Sequence, residues 1–91
     1  IVNNGTYGTI RMHQERHYPE RVSGTELTNP DFVALAKAYG FYGERVETTA
    51  DFADAFARAV ASDTGAVLDL VISTEAITPR LTIDDLRSAG R

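Results

Sequence analysis

Two adjacent asparagines follow a short β-branched stretch at the start of the chain, in Ile1-Val2-Asn3-Asn4-Gly5. In an open parallel α/β sheet, ligands bind beyond the carboxyl ends of the strands. The amide oxygen of asparagine is a neutral, hard ligand suited to Mg²⁺, and a glycine turn can expose neighbouring carbonyl oxygens to the same ion. A helix is predicted a few residues later, and its N-terminus would favour phosphate oxygens. The stretch therefore has the chemistry to hold Mg²⁺ together with a diphosphate.

The same residues also match simpler patterns. Asn4-Gly5 is a common turn dipeptide, and Asn4-Gly5-Thr6 matches the acceptor sequence for N-glycosylation. Nothing in the sequence indicates secretion, which argues against glycosylation of Asn4. A plain turn stays the alternative to a metal site.

Three other side chains are capable of chemistry. His13 and His17 are spaced i, i+4, as in a zinc pair, but the glutamate between them is one place late for the metalloprotease motif. We expect these histidines at a surface or interface, or facing the active-site entrance of a larger enzyme. Asp69 lies within a predicted strand, where a strand end or a salt bridge to an arginine is preferred over a catalytic role.

The clearest helical pattern is NPDFVALAKAYG, residues 29–40. Asn29 is the predicted cap, Pro30 suits the first helical position, and Gly40 can take the left-handed stop. The apolar residues recur at i, i+3, i+4 and i+7, which is one face of a helix, and they are Phe32, Leu35, Ala36 and Tyr39.

Three further helices are predicted. Thr49 caps one of them, and its apolar stripe consists of Phe52, Ala55, Phe56, Ala59 and Val60. Thr82 and Asp85 resemble a capping box for another, with Gly90 beyond its C-terminal end. The last helix is predicted over residues 7–18, just after the asparagines.

Strands are predicted between these helices. Residues 66–72 are almost continuously apolar, as expected of a parallel strand covered on both faces. Residues 41–47 form a weaker strand, and residues 1–3 are the tail of a third. The order β-α-α-β-α-β-α predicts a three-layer α/β fold, in which a three-stranded parallel sheet is flanked by helices on both faces. The expected core side chains are Phe32, Leu35, Phe52, Phe56, Leu68 and Leu70.

The composition is that of an ordinary globular domain, with 43% apolar and 24% charged residues. The net charge of −4 argues against a nucleic-acid partner. The absence of cysteine excludes disulfides, thiolate metal sites and cysteine nucleophiles, and it fits a cytoplasmic protein. No apolar run approaches the roughly 20 residues of a membrane helix, so we expect no membrane association.

IVNNGTYGTIR, residues 1–11, resembles the second half of the motif that binds thiamine diphosphate (also called thiamine pyrophosphate, TPP). That motif begins with Gly-Asp-Gly and closes in Asn-Asn. Residues 29–40 are similar to a helix of the same enzymes. Residues 65–71 are similar to their last strand, where an acidic residue commonly stands at the position of Asp69. The resemblance identifies residues 1–91 as the C-terminal part of a thiamine diphosphate-binding domain from a 2-keto acid decarboxylase or carboligase.

Carried over by position, the resemblance assigns the Asn4 side-chain oxygen and the Thr6 backbone carbonyl to Mg²⁺. It places Tyr7 and Gly8 against the diphosphate. It implies no catalytic residue in this chain, because the family supplies its activating glutamate from another domain. The Gly-Asp-Gly half of the motif is also missing. The chain is therefore expected to be an inactive fragment of a longer, homo-oligomeric parent enzyme.

The branch of the family stays open. NNGTYG looks like benzoylformate decarboxylase, a lyase, whereas the longer helix and the loop before Asn29 resemble acetolactate synthase-like carboligases, which are transferases. Met12-His13 stand where those synthases usually carry Gln-Trp, so the 2-keto acid substrate is not identified.

Two non-enzymatic classes remain as alternatives. One is a free-standing Rossmann-like binding domain, and the other is an interaction module that uses its sheet edge. An unpaired strand at Ile1-Val2 also predicts that the chain self-associates through residues 1–12 and not through the polar connection 21–28.

Overall fold

The structure is a computed structural model that describes residues 1–90. Its elements are β1 (Val2–Asn3), α1 (Gly8–His17), α2 (Phe32–Ala38), β2 (Tyr42–Val46), α3 (Thr49–Ala61), β3 (Ala66–Val71) and α4 (Ile83–Gly90). This is the predicted order, and the α/β fold is confirmed. The described residues form two compact units, one made of residues 1–3 and 29–72 and the other of residues 4–28 and 73–90.

The first unit contains a three-stranded parallel sheet with β3 in the centre, between β1 and β2. Leu70 of β3 lies opposite Val2 on one side and opposite Val46 on the other. Because β3 has a neighbour on each side and helices above and below, its sequence is a nearly continuous apolar run.

Helices α2 and α3 cover opposite faces of this sheet. A Cβ at Gly43 would lie 2.9 Å from the Val33 carbonyl oxygen and 3.1 Å from the Ala36 Cβ, so Gly43 faces α2. The next residue, Glu44, accepts hydrogen bonds from Arg58 of α3. Since successive residues of a strand point to opposite faces, the first unit has three layers, as predicted.

The N-terminal end of α2 differs from the prediction. The N-cap is Asp31, whose carboxylate accepts a hydrogen bond from the Ala34 N–H at 3.0 Å. The predicted cap, Asn29, instead donates a hydrogen bond from its side chain to the Asn3 Oδ1 at 3.1 Å. At the other end, Gly40 has φ +77° and provides the left-handed stop that the sequence predicted.

The remaining helix ends are close to the predictions. Thr48, in an extended conformation, is the N-cap of α3, so Thr49 is already helical. The capping box at α4 is confirmed, because Asp85 accepts from the Thr82 N–H at 2.8 Å and the Thr82 hydroxyl accepts from the Asp85 N–H at 3.2 Å. Gly90 is the last described residue of α4 and does not lie beyond it.

The predicted core is wrong, because none of its six side chains is fully buried. Leu35, Phe52 and Phe56 are exposed, and Phe32, Leu68 and Leu70 are half-buried. The buried apolar residues of the first unit are Ala36, Val46 and Ala55. Because alanines stand at the closest approach of α2 and α3 to the sheet, the larger side chains lie at the flanks of each stripe. Three strands provide too little surface to cover those flanks.

The second unit is built around α1 and α4, which pack against each other. Ile83 and Leu86 of α4 are buried, and so is Glu15 of α1. A Cβ at Gly90 would overlap the Arg16 carbonyl oxygen, so this close approach requires glycine. Within residues 1–90, no helix is long and apolar enough to cross a membrane.

Candidate functional site

The asparagine pair divides between the two units. Asn3 ends β1, and its side-chain amide donates a hydrogen bond to Asp69 Oδ1 at 3.0 Å. Asn4 begins a turn in the second unit, where its Oδ1 accepts a hydrogen bond from the Thr6 N–H at 3.2 Å. Gly5, which lies between Asn4 and Thr6, has φ +67°, a conformation that favours glycine. The side chain of Asn4 therefore folds back over its own turn, whereas that of Asn3 is held within the sheet.

A short antiparallel pairing holds this turn in place. Thr6 is bridged to Glu26, and the Tyr7 N–H donates to the Thr25 carbonyl oxygen at 2.8 Å. The Thr6 hydroxyl donates to the same carbonyl oxygen at 2.7 Å. This pairing was not predicted, because the polar connection of residues 21–28 carries no alternating apolar pattern.

The turn leaves two oxygens available to a cation. An amide oxygen has two lone pairs. Within the described residues, one lone pair of Asn4 Oδ1 accepts the hydrogen bond from the Thr6 N–H, which leaves the other for a cation. The Thr6 carbonyl faces away from Glu26, because its neighbours make the bonds of the pairing, and within residues 1–90 nothing donates a hydrogen bond to it. A carboxamide oxygen and a backbone carbonyl are ligands that suit Mg²⁺. The residues present therefore fit the predicted ion.

The start of α1 fits an anion. Tyr7 is the N-cap, and no side chain caps the helix. The free N–H groups of the first turn and the helix dipole both favour a phosphate. A Cβ at Gly8 would lie 2.8 Å from the Asn4 Nδ2 and 3.2 Å from the Ile77 Cδ1, so glycine is needed for the side chain of Asn4 to keep its place. All four predicted site residues, Asn4, Thr6, Tyr7 and Gly8, thus lie in one turn and the helix start that follows it.

A buried ion pair lies in the same unit and was not predicted. Arg87 donates from Nε and Nη2 to the two carboxylate oxygens of Glu15, at 3.0 and 2.9 Å. The hydrogen bonds from Arg87 are the main cause that lowers the pKa of Glu15 to about 2. The two residues are 72 positions apart, so no local spacing in the sequence could have indicated the pair.

A cavity of about 610 Å³ lies in the second unit. Gly5 and Thr6 of the turn line it, together with the Glu15–Arg87 pair and Arg11. Its other lining residues are Glu20, Val22, Thr25, Glu26, Leu27 and Thr74. The cavity is therefore polar and reaches the turn that holds the candidate metal ligands.

The other candidates are structural or exposed. Asp69 is 2% exposed, and Arg45 Nε lies 3.5 Å from its Oδ2, so the salt-bridge interpretation is confirmed. His13 and His17 are exposed, with parallel rings 6.5 Å apart. Among residues 1–90 there is no group of three or more histidine, aspartate or glutamate side chains that could hold a metal ion.

Residues 1–70 match the family described as "Thiamine pyrophosphate enzyme, C-terminal TPP binding domain". The chain is 39% identical over 83 residues to the acetolactate synthase of Mycobacterium bovis and to the acetolactate synthase large subunit IlvB1 of Mycobacterium tuberculosis. Each alignment covers 84% of this chain and 13% of the relative. The acetolactate synthase large subunit of Cyanidium caldarium is 32% identical over 76 residues, which are 81% of this chain and 13% of that protein.

The chain thus spans about 13% of the length of these relatives. The family match covers most of the chain and includes the whole of the turn that carries Asn4, Thr6 and Gly8. The parallel sheet agrees with the resemblance from which the fold was predicted. The chain belongs to the thiamine pyrophosphate enzyme family, in its C-terminal TPP binding domain.

Proposed function

We propose that this chain supplies the asparagine half of a Mg²⁺–thiamine diphosphate site to a longer, acetolactate synthase-like enzyme that acts on 2-keto acids. The observation that carries the proposal is the pairing of two available oxygens, on Asn4 and Thr6, with an uncapped helix N-terminus directly after them. The family description names TPP binding, and the relatives given above are acetolactate synthases.

Each residue of the turn has a separate role in this proposal. Asn4 Oδ1 and the Thr6 carbonyl oxygen bind Mg²⁺, which demands near-octahedral oxygen coordination and takes its other ligands from elsewhere. The N–H groups at the start of α1 bind the diphosphate, and Gly8 keeps the helix start open beside the side chain of Asn4. Tyr7 contacts the diphosphate as the chain enters the helix. When bound, thiamine diphosphate supplies the nucleophilic carbon that attacks the keto group of the substrate.

The proposal assigns no catalytic residue to this chain. The turn provides two ligands to an ion that needs about six, so the chain alone is expected to be inactive and to bind the cofactor poorly. Carboligation is favoured over simple decarboxylation because acetolactate synthases are the relatives found. The benzoylformate decarboxylase-like alternative rests on the NNGTYG motif alone. We further propose that the parent enzyme is a homo-oligomer, because most oligomeric proteins are assembled from copies of one chain.

The test replaces Asn4 by alanine in the full-length parent enzyme. Loss of a direct ligand should weaken Mg²⁺-dependent binding of thiamine diphosphate by roughly tenfold or more, since even residues that only support a ligand cost that much. Isothermal titration calorimetry of the apoenzyme measures the affinity. Asn29→Ala is the matched control, because it removes the same amide from an exposed position that bonds Asn3. Equal affinities in the two variants would refute the assignment of Asn4.

A further inference from the structure

The Glu15–Arg87 pair links α1 to α4. The Glu15 side chain is 2% exposed and that of Arg87 is 22% exposed. Besides the two bonds from Arg87, the carboxylate accepts a hydrogen bond from the Glu20 N–H at 2.9 Å. The buried carboxylate thus accepts three hydrogen bonds, two of them from a bidentate arginine, and this arrangement has one well-defined orientation. The pair therefore fixes α1 against α4 in both position and rotation.

A second contact fixes α1 nearer to its start. Arg11 donates to the Thr74 carbonyl oxygen at 3.1 Å and to the Glu75 carboxylate at 3.1 Å. The partners of α1 in both contacts belong to residues 73–90, which follow the residues 1–70 that match the family. The last segment of the chain thus holds α1 at two points along its length.

The orientation of α1 matters to the turn because the two are continuous. Only Tyr7 separates Thr6 from the first helical residue, Gly8. The turn, through Thr6, and the Glu15–Arg87 pair also line the same cavity. Any rotation of α1 would therefore change where its free N–H groups point relative to the oxygens of Asn4 and Thr6.

We propose that Glu15 and Arg87 are positioning residues for the cofactor site: they hold α1 so that its N-terminus and the Asn4–Thr6 oxygens face the same Mg²⁺–diphosphate group. This inference rests on the proposed function. Neither residue contacts the cofactor. Their effect is on its affinity and not on the chemical step.

The pair stays ionised throughout the range in which such an enzyme would be assayed. Arg11, Glu20 and Asp84 are the other titratable groups around it, with Asp84 Oδ1 3.7 Å from Arg87 Nη1. Because the pKa of Glu15 is lowered to about 2, the stability it contributes is complete above its ordinary value of 4.5 and is lost only as the pH falls towards 2. Between pH 5 and 9, roughly, titration of this pair should leave cofactor affinity unchanged.

The decisive variant is Arg87→Met, made in the full-length parent enzyme. We expect the affinity for thiamine diphosphate with Mg²⁺ to fall about tenfold, as for other residues that orient a ligand, while kcat at saturating cofactor stays within about twofold. Arg80→Met is the matched control, since Arg80 is an exposed arginine of the same segment. Arg87→Lys keeps the charge but cannot form the bidentate hydrogen bonds, so it should give an intermediate loss of cofactor affinity.

Hydrogen exchange of the 91-residue chain gives a readout that needs no cofactor. In Arg87→Met, amides of residues 6–11 should exchange roughly tenfold faster, whereas those of β3 should be unaffected. Arg87→Lys serves the same measurement if Arg87→Met does not fold.

The two proposals fail in different ways. If Arg87→Met and Arg87→Lys bind cofactor like the wild type while Asn4→Ala binds weakly, the positioning role is overturned and the proposed function stands. If kcat falls at saturating cofactor with affinity unchanged, the positioning role is also overturned. If Asn4→Ala binds like the wild type, the proposed function itself fails, whatever the Arg87 variants do.

Discussion

Gly8 is the residue at which an added side chain would most directly disturb the candidate site. In Gly8→Ala the new Cβ would meet Asn4 Nδ2 and Ile77 Cδ1, so the side chain of Asn4 has to move. Alanine also has a higher helix propensity than glycine, by up to about 1 kcal/mol. Because this gain opposes the cost of moving the Asn4 side chain, the free energy of unfolding should change little. We expect a clear shift of the Asn4 side-chain amide signals and of the Thr6 N–H signal in an NMR spectrum.

The control for this prediction is the neighbouring exposed residue. Thr9→Ala alters the same helical turn without approaching Asn4, so both signals should stay in place. Unchanged signals in Gly8→Ala would show that the turn has more room than the structure gives it.

At this scale the sequence predicts what is local. Asn4, Thr6 and Gly8 follow one another within five positions, and the resemblance carried by that stretch was enough to place them together. Glu15 and Arg87 come from the two ends of the chain. An acidic residue in a helix and an arginine near a helix C-terminus are each ordinary by themselves, so only the fold could bring them into one pair.

The capping box of α4 is the clearest prediction at the scale of an element. Thr82→Ala removes the hydroxyl that accepts from the Asp85 N–H, and losing an N-cap of this kind costs about 1 kcal/mol. Chemical denaturation of the 91-residue chain should show the loss. Ser88→Ala, at an exposed position within the same helix, should be neutral or slightly stabilising. Equal stability of the two variants would mean that the cap contributes nothing to the fold.

The elements themselves were predictable because each is specified by its own periodicity and end signals. What the sequence could not give was the depth of each side chain. Phe52 and Phe56 lie on an apolar stripe and stack on each other at 5.7 Å, yet both are exposed. Burial depends on what lies opposite a helix, and with three strands in the sheet Ala55 alone of this stripe is fully buried.

At the scale of the whole molecule, β1 is an edge strand of the sheet, and Ile1 and Val2 are 51% and 71% exposed. Exposed edges pair readily with other chains. We therefore predict that the 91-residue chain dimerises at high micromolar concentration, as measured by sedimentation velocity. Val2→Lys should restore the monomer, because an edge lysine opposes strand pairing.

Val22→Lys is the matched control for this prediction. Val22 is exposed within the polar connection of residues 21–28, so the same change there should leave the dimer intact. A dimer that resists Val2→Lys and is broken by Val22→Lys would place the contact elsewhere, and a monomer at every concentration would rule out self-association.

The second unit is assembled from two segments of the chain with the whole of residues 29–72 between them. During synthesis, the sheet can form as soon as β3 has left the ribosome, whereas the Glu15–Arg87 ion pair can form only after α4 has been made. Contacts of such long sequence separation form late, because the loop they close has to be ordered first. The turn that carries Asn4 is translated well before α4. By this reasoning it is among the last to become rigid, and nascent chains halted before α4 would display it in a mobile form.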